Sequence, residues 1–401
     1  MISRVAYLSL HTSPLLRPGS GDAGGMNVYI NELALTMAAR GIYVDVFTRA
    51  TSPLLPPVVE VNDFYHVIHV AAGPTTHLPI EQLSEHVFDY AESVIDWAQA
   101  RNRSYDLVHS HYWLSGWAGL LVKRILGIPL ANSFHTLGRV KDAMRRADEP
   151  TTSLVRIAAE HEVIVGSDCV IGSTPLEADD LLIHYGADPA RLCVSPPGVN
   201  HDTFVSGDKS AARATLGVED VPTMLFVGRI QALKGVDIAV AAFRQVVAKV
   251  PNAQFLILGG PSGSTGEKEE RSVRHTVDGL NVTFIPPQPH DELTRYYQSA
   301  DVLLFPSRSE SFGLVAVEAQ SCATPVVAAS VGGLAYAVSN GESGYLVDGW
   351  DPADYADKVT SILSDRDLSE RLSVGAEKFS ENFSWDKTAD RLLELYVSIT
   401  E

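Results

Sequence analysis

The chain has 401 residues, 45% of them hydrophobic and 20% charged, with a formal net charge of −18. That length suggests two domains with ordinary cores. The acidic balance and the lack of a basic run exclude nucleic acid and anionic membrane as expected partners.

Residues 4–10 are apolar and read as a first buried strand. The stretch 11–27, "HTSPLLRPGSGDAGGMN", then packs glycines just ahead of an expected helix over 27–40, with Val28, Leu33 and Met37 on one face and Gly41 as its C-cap. "IYVDVFT" follows as a strand, giving a parallel βαβ unit. "HVIHVA", "DLVHSH", "PLANSFH" and "CVIGST" continue the series. The turn-rich segment 195–208 reads as a linker. A second series begins at "TMLFVG", with a helix over 236–249 and strands at "QFLILGG", "VTFIPP", "DVLLFPS" and "PVVAAS". Residues 260–270 read as a loop. The chain turns helical after 352, with Ala389, Leu392, Leu393 and Tyr396 expected on one face of the last helix. The expected fold class is α/β, two doubly wound Rossmann-like domains facing a cleft. Residues 1–199 would form the first and 200–383 the second, with the helix 384–401 packing back on the first. No apolar run is long enough to span a bilayer. The N-terminus reads as a strand rather than a signal peptide, and Cys169, Cys193 and Cys322 are scattered. A cytoplasmic location is expected.

Ligands of such sheets bind beyond the carboxyl ends of the strands. Gly21, Gly24 and Gly25 beside a helix start favour close approach of an anion to backbone. Arg229 and Lys234 in "GRIQALKG" can converge on one anion at a strand end. In "SESFGLVAVEAQ", Glu310 lies in a loop and Glu318 in the second turn of the helix that Gly313 opens. The N–H groups of Phe312, Gly313, Leu314 and Val315 suit a phosphate, and the two carboxylates suit sugar hydroxyls on either side. A salt-bridged Glu318 is the plain structural alternative. His11, His109, His111, Tyr112, His135 and Thr136 end successive strands and read as a polar acceptor pocket; "SVGGL" at 330–334 reads as close sheet-to-helix packing with some ligand approach. "GPSGSTGEK" lacks the ending of a P-loop, "DRD" at 365–367 reads as a solvated cap, and no G-x-S-x-G or H-E-x-x-H occurs.

With Arg229 and Lys234 followed by Glu310 and Glu318 at E-x7-E spacing, the chain resembles the retaining glycosyltransferases of family four, of GT-B fold. The stretches "HTSPLLRPGSGDAGGMNVYI", "VDVFTRAT" and "HSHYWLSGWAGLL" are most similar to the branch that transfers N-acetylglucosamine from UDP to an inositol phosphate in mycothiol biosynthesis of actinobacteria. The resemblance implies a nucleoside diphosphate sugar as donor, GDP- or UDP-linked, a small hydrophilic acceptor, and no required cofactor or metal. It makes Arg229, Lys234, Glu310 and His135 the catalytic set. Gly24, Gly25, Gln288, Phe312, Gly313, Leu314 and Glu318 join the donor site, with Glu318 on the ribose. His11, Asn27, Ile80, Tyr112, Thr136 and Arg156 would line the acceptor site. Tyr112, Thr136 and Arg156 match the residues that hold the acceptor phosphate in that branch, but its lysine falls on Ile80, and a basic residue of the nucleotide loop on Gln288. Loss of one ammonium–phosphate contact costs about 1.5–3 kcal/mol. The departures lead us to expect a lincosamide-pathway paralogue that joins a GDP-octose to the thiol of ergothioneine. The alternative is the inositol-phosphate enzyme itself, and the remote one an inactive sugar-nucleotide binder. A homodimer is left open.

Overall fold

A computed structural model describes every residue except 20, 22, 146–149 and 262–265. The chain folds into two units. The first comprises Met1–Leu16, Gly25–Pro196 and Trp385–Glu401; the second comprises Arg17–Gly24 and Pro197–Ser384.

The first unit carries the strands β1 (Arg4–Leu8), β2 (Tyr43–Arg49), β3 (Val58–Asn62), β4 (Tyr65–Val70), β5 (Leu107–His111), β6 (Leu130–Ser133), β7 (Cys169–Gly172) and β8 (Leu192–Val194). They form one sheet in the order β3-β4-β2-β1-β5-β6-β7-β8. All neighbours are parallel except β3 and β4, a hairpin at the edge. The order reverses between β1 and β5, so their carboxyl ends open the crevice in which such sheets bind ligands. β1 to β4 and the helix Gly25–Ala39 build one side, and the helix Tyr112–Leu126 follows β5 directly. The β-branched strands are buried on both faces, as parallel sheets require.

The final helix, Trp385–Thr400, packs on the helix Gly25–Ala39. It buries Trp385, Thr388, Ala389, Leu392, Leu395 and Tyr396. Leu395 therefore takes the inward place expected of Leu393, which is only half-buried, because the buried stripe drifts toward Trp385 and Thr388. Tyr396 is fully buried, and its hydroxyl lies 2.6 Å from His109 Nδ1 and 3.3 Å from the Tyr7 hydroxyl.

The second unit carries β9 (Thr223–Val227), β10 (Gln254–Leu258), β11 (Val282–Ile285), β12 (Val302–Phe305), β13 (Val326–Ala329) and β14 (Gly344–Val347), in the order β11-β10-β9-β12-β13-β14, all parallel. Here the reversal lies between β9 and β12. The helix Val236–Lys249 spans the expected residues. The expected loop 260–270 is corrected at its end: Gly266–Thr276 is helical, favoured by Glu267 and Glu269 in its first turn and Arg274 and His275 in its last. Residues 262–265 of that stretch lie outside the described residues. Asp365 caps the helix Arg366–Ser380 by accepting from Leu368 N–H, as expected of "DRD". Among the described residues no helix is long and apolar enough to cross a membrane.

The phenol of Tyr396 satisfies a fully buried imidazole, so Tyr396→Phe should cost about 1–3 kcal/mol in the first unit, the penalty for an unsatisfied buried polar group. Denaturant titration of wild type and variant checks this; equal midpoints would show that the bond carries no stability.

Candidate active site in two half-sites

In the second unit, β9 ends at the loop 228–235. Gly228 N–H bonds to Leu258 O at 3.0 Å and Ile230 N–H to Gly260 O at 2.8 Å, which holds the loop against the end of β10. A Cβ at Gly259 would come within 1.9 Å of Gly228 O, so only glycine allows this approach. A 3-10 turn over Ala232–Lys234 then leads through Gly235 (φ 69°) into the helix Val236–Lys249.

Lys234 Nζ pairs with the Glu310 carboxylate, each side chain 18% exposed, and lies 5.5 Å from the centre of the Phe305 ring. The two residues that sequence placed at two strand ends are thus joined across the β9–β12 reversal. Arg229 lies in the same loop, and a Cβ on Gly24 would stand 3.8 Å from its Nε. Gly24 and Arg229 are therefore neighbours within this unit, whereas Gly25 begins the helix of the first unit.

The Glu310 loop is braced from behind by the glycine pair of "SVGGL". Gly333 N–H donates to Glu310 O at 2.8 Å, and a Cβ on Gly333 would lie 2.2 Å from Ser311 O. The close packing expected at this turn is present: a Cβ on Gly332 or Gly333 would meet backbone of residues 310–312. Gly313 (φ 101°) starts the helix Leu314–Ser321; Ala316 N–H already donates to Gly313 O at 2.9 Å, and the N–H groups of Leu314 and Val315 precede the first intrahelical acceptor. Phe312 is buried against Phe383, with ring centres 5.5 Å apart, and Leu314 is half-buried.

Glu318 has protein partners on both oxygens. Oε1 lies 2.7 Å from His290 Nε2, and Oε2 accepts from the Tyr297 hydroxyl at 2.8 Å. The alternative drawn from the sequence is a salt-bridged Glu318; here the carboxylate is buried and hydrogen-bonded to an imidazole and a phenol. Each carboxylate oxygen still has a second lone pair for a hydroxyl donor. Gln288 lies two residues from His290 and donates to Pro286 O at 2.8 Å.

In the first unit, β5 passes without a loop into the helix that Tyr112 opens at φ 76°, and His135 follows β6 at φ 60°. Left-handed backbone in two bulky residues is uncommon and costs about 1–3 kcal/mol each; such strain concentrates at functional sites. Arg156 gathers this edge. Its Nη1 donates to the Tyr112 hydroxyl at 3.0 Å, its Nη2 to Thr136 O and Oγ1 at 3.1 Å each, and its Nε to Glu160 at 2.7 Å. Glu160 in turn accepts from Gly138 N–H at 3.0 Å and from the Tyr185 hydroxyl. The tilted rings of His11 and Tyr112 lie 4.6 Å apart. Asn27, 1% exposed, donates to Thr12 Oγ1 and Ser13 O, both at 2.7 Å. Ile80 opens the 3-10 segment Ile80–His86 and packs, half-buried, on the core that contains Tyr112 and Trp113.

Two of the expected pocket histidines are corrected. His109 and His111 are 0% exposed, because the side chains of the central strand β5 are covered on both faces. His109 is held by Tyr396 and, at 3.0 Å, by Ser133 Oγ. His111 Nδ1 lies 3.1 Å from Nε2 of the half-buried His135. Burial pushes the His109 and His135 pKa values down to about 3, and that of His111 well below the ordinary value, so the three imidazoles are neutral near pH 7. Sequence reasoning missed Glu160, although it stands four residues after Arg156 on one helix, the spacing of a helical ion pair. It also missed His290 and Tyr297, for which no spacing signal exists. Among the described residues no cluster of three or more His, Cys, Asp or Glu can hold a metal.

Residues 24–198 match the family described as glycosyl transferase 4-like domain, and residues 208–379 match the glycosyl transferases group 1. A D-inositol 3-phosphate glycosyltransferase of Geodermatophilus obscurus is 46% identical over 99% of this chain and 90% of its own length. One from Corynebacterium diphtheriae is 41% identical, covering 99% and 95%. Among solved structures, a sucrose-phosphate synthase from Thermosynechococcus elongatus aligns at TM-score 0.91 with 33% identity over 99% of both chains. Anabaena HepE in complex with UDP and glucose aligns at TM-score 0.80, with 18% identity over 99% of this chain and 100% of that one, a likeness of fold. The chain belongs to the group 1 glycosyltransferases with a 4-like N-terminal domain, of GT-B fold, and is a transferase enzyme.

The buried imidazoles make the first unit sensitive to acid. Each stays neutral when folded but binds a proton below about pH 6.5 when unfolded, so its stability is complete above 6.5 and is lost as the pH falls toward about 3. The slope is about 1.4 kcal/mol per pH unit for each histidine. Urea midpoints measured between pH 7 and 4 should therefore fall less steeply in His109→Gln than in wild type; parallel slopes would show that His109 is not neutral in the fold.

Proposed function

We propose that this enzyme transfers a sugar, with retention of anomeric configuration, from a nucleoside diphosphate to a small acceptor that carries an anion. The second unit would hold the donor and the first the acceptor. Arg229 and Lys234 would neutralise the diphosphate as it departs, assisted by the N–H groups of Leu314 and Val315 at the start of the helix Leu314–Ser321. Glu310 would orient Lys234 and accept sugar hydroxyls, and Glu318 would accept from the ribose while His290 and Tyr297 fix its carboxylate. Gly24 and Gly25 would let the donor phosphates approach backbone, with Asn27 and His135 at the acceptor side. The bond from the anomeric carbon to the leaving oxygen breaks as the acceptor attacks from the same face. The acceptor's proton passes to the departing phosphate, so no protein nucleophile is needed. Cations and helix N–H groups take the place of a metal in this scheme.

The observation that carries the acceptor reading is the assembly of Tyr112, Thr136 and Arg156 into one hydrogen-bonded group. With relatives named for D-inositol 3-phosphate, it supports that compound as acceptor and UDP-N-acetylglucosamine as donor. A second reading, ergothioneine accepting a GDP-linked octose, is favoured only by Ile80, which places an apolar group where a lysine would repel a quaternary ammonium. The relatives give it no support.

Nucleotide release separates the two when the enzyme is offered UDP-N-acetylglucosamine with D-inositol 3-phosphate, and a GDP-sugar with ergothioneine. Turnover of the first pair is expected, and Ile80→Lys should raise its kcat/KM about tenfold by adding a charge-assisted contact. Turnover of the second pair alone would overturn the inositol-phosphate reading.

A further inference from the structure

Arg49 closes β2 with its side chain inside the first unit, 3% exposed. Its Nη1 donates to Pro74 O and its Nη2 to Thr76 O, both at 2.6 Å. Among the described residues no carboxylate lies within ion-pair distance of it. Other shielded cations of the protein are matched: Arg156 by Glu160, Arg103 by Asp45, and Arg213 by Asp220 and Asp301. Burial pushes the Arg49 pKa down, but a guanidinium keeps its proton in proteins. An unmatched buried cation is costly unless an anion reaches it from outside the chain.

Its place in the sheet says where such an anion would sit. Arg49 stands at the carboxyl end of β2, next to β1 and one strand removed from β5. Its own N–H reaches Leu10 O, the residue before His11. Strands lie about 4.8 Å apart, so the backbones of β2 and β5, at whose ends Arg49 and Tyr112 stand, are about 10 Å apart. The loop it clamps runs on into Ile80 and Leu83, which pack on the core containing Leu10, Tyr112 and Trp113.

We propose that Arg49 is a positioning residue of the acceptor half-site: it tethers the 74–76 loop and supplies the second positive charge that the site lacks at Ile80. This rests on the reading that the acceptor is anionic. If the guanidinium lies on the order of 10 Å from the bound anion, its charge acting through a partly shielded medium shifts anion affinity by about tenfold.

Inorganic phosphate is the probe, titrated into the full-length protein with hydrogen exchange read over residues 74–86. Wild type should bind phosphate and slow exchange in that segment. Arg49→Gln should raise the phosphate Kd about tenfold and leave the UDP Kd within about twofold. Arg49→Lys keeps the charge but loses the fork. It should hold the phosphate Kd within about threefold, while residues 74–76 exchange faster even without phosphate. If Arg49→Gln does not fold, the lysine variant decides, and a tenfold loss there overturns the charge assignment. Wild type that ignores phosphate, or an Arg49→Gln protein that binds it normally, also overturns it. Equal losses in both variants, reporting a tether alone, do the same. Failure of the proposed function looks different: phosphate binding would still depend on Arg49, while D-inositol 3-phosphate would not be glycosylated.

Discussion

The second unit is organised around one ion pair, Lys234 with Glu310. Each residue is set at the end of a different strand, on the two sides of the point where the sheet order reverses. The pair forms because two loops lie nearly in backbone contact. Gly235 passes so close to Pro306 that a Cβ would sit 2.1 Å from its carbonyl oxygen, and Gly332 and Gly333 press against residues 310–312 from the other side. The ammonium is held half-shielded, beside a carboxylate that can trade part of its attraction for sugar hydroxyls. A diphosphate arriving next to Lys234 would meet a charge whose position is already fixed. In many enzymes it is such fixed charge that lowers the barrier most, because nothing has to reorient as the reaction proceeds.

The first unit solves a different problem. Its crevice edge must present polar groups while the strands beneath it are sealed. It does so with strained backbone at Tyr112 and His135, and with a guanidinium, that of Arg156, whose Nε is occupied by Glu160. Glu160 makes the arginine rigid but also offsets part of its charge. The site is therefore electrostatically thinner than its hydrogen-bond geometry suggests, and Arg49 and Ile80 carry weight for that reason.

Much of this was legible in the sequence. The strand–helix alternation follows from apolar runs separated by turn residues. The spacing of Glu310 and Glu318 about Gly313 places one carboxylate in a loop and the other on the helix behind it. Tyr112, Thr136 and Arg156 were placed in one acceptor site by resemblance, and the fold brings them together. What escaped was set by tertiary contact. The edge strand β3 (VVEVN) is half-buried to exposed along its length and lacks the continuous apolar run of the inner strands, and β8 has only three residues. His109 looks like a site residue because it ends an apolar run, but the helix Trp385–Thr400, almost three hundred residues later, covers it. Residues 17–24 read as part of the first domain because they are close in sequence to it, yet they cluster with the second. The absence of a carboxylate near Arg49 has no sequence signature at all.

The central claim is that preorganised positive charge at the end of β9, rather than a protein nucleophile, drives departure of the diphosphate. Single-turnover kinetics of Lys234→Ala at saturating donor and acceptor test it most directly, with donor affinity measured alongside. The account predicts a fall of about a hundredfold or more in the chemical rate, larger than the loss in donor affinity. A chemical rate within a few-fold of wild type would contradict it.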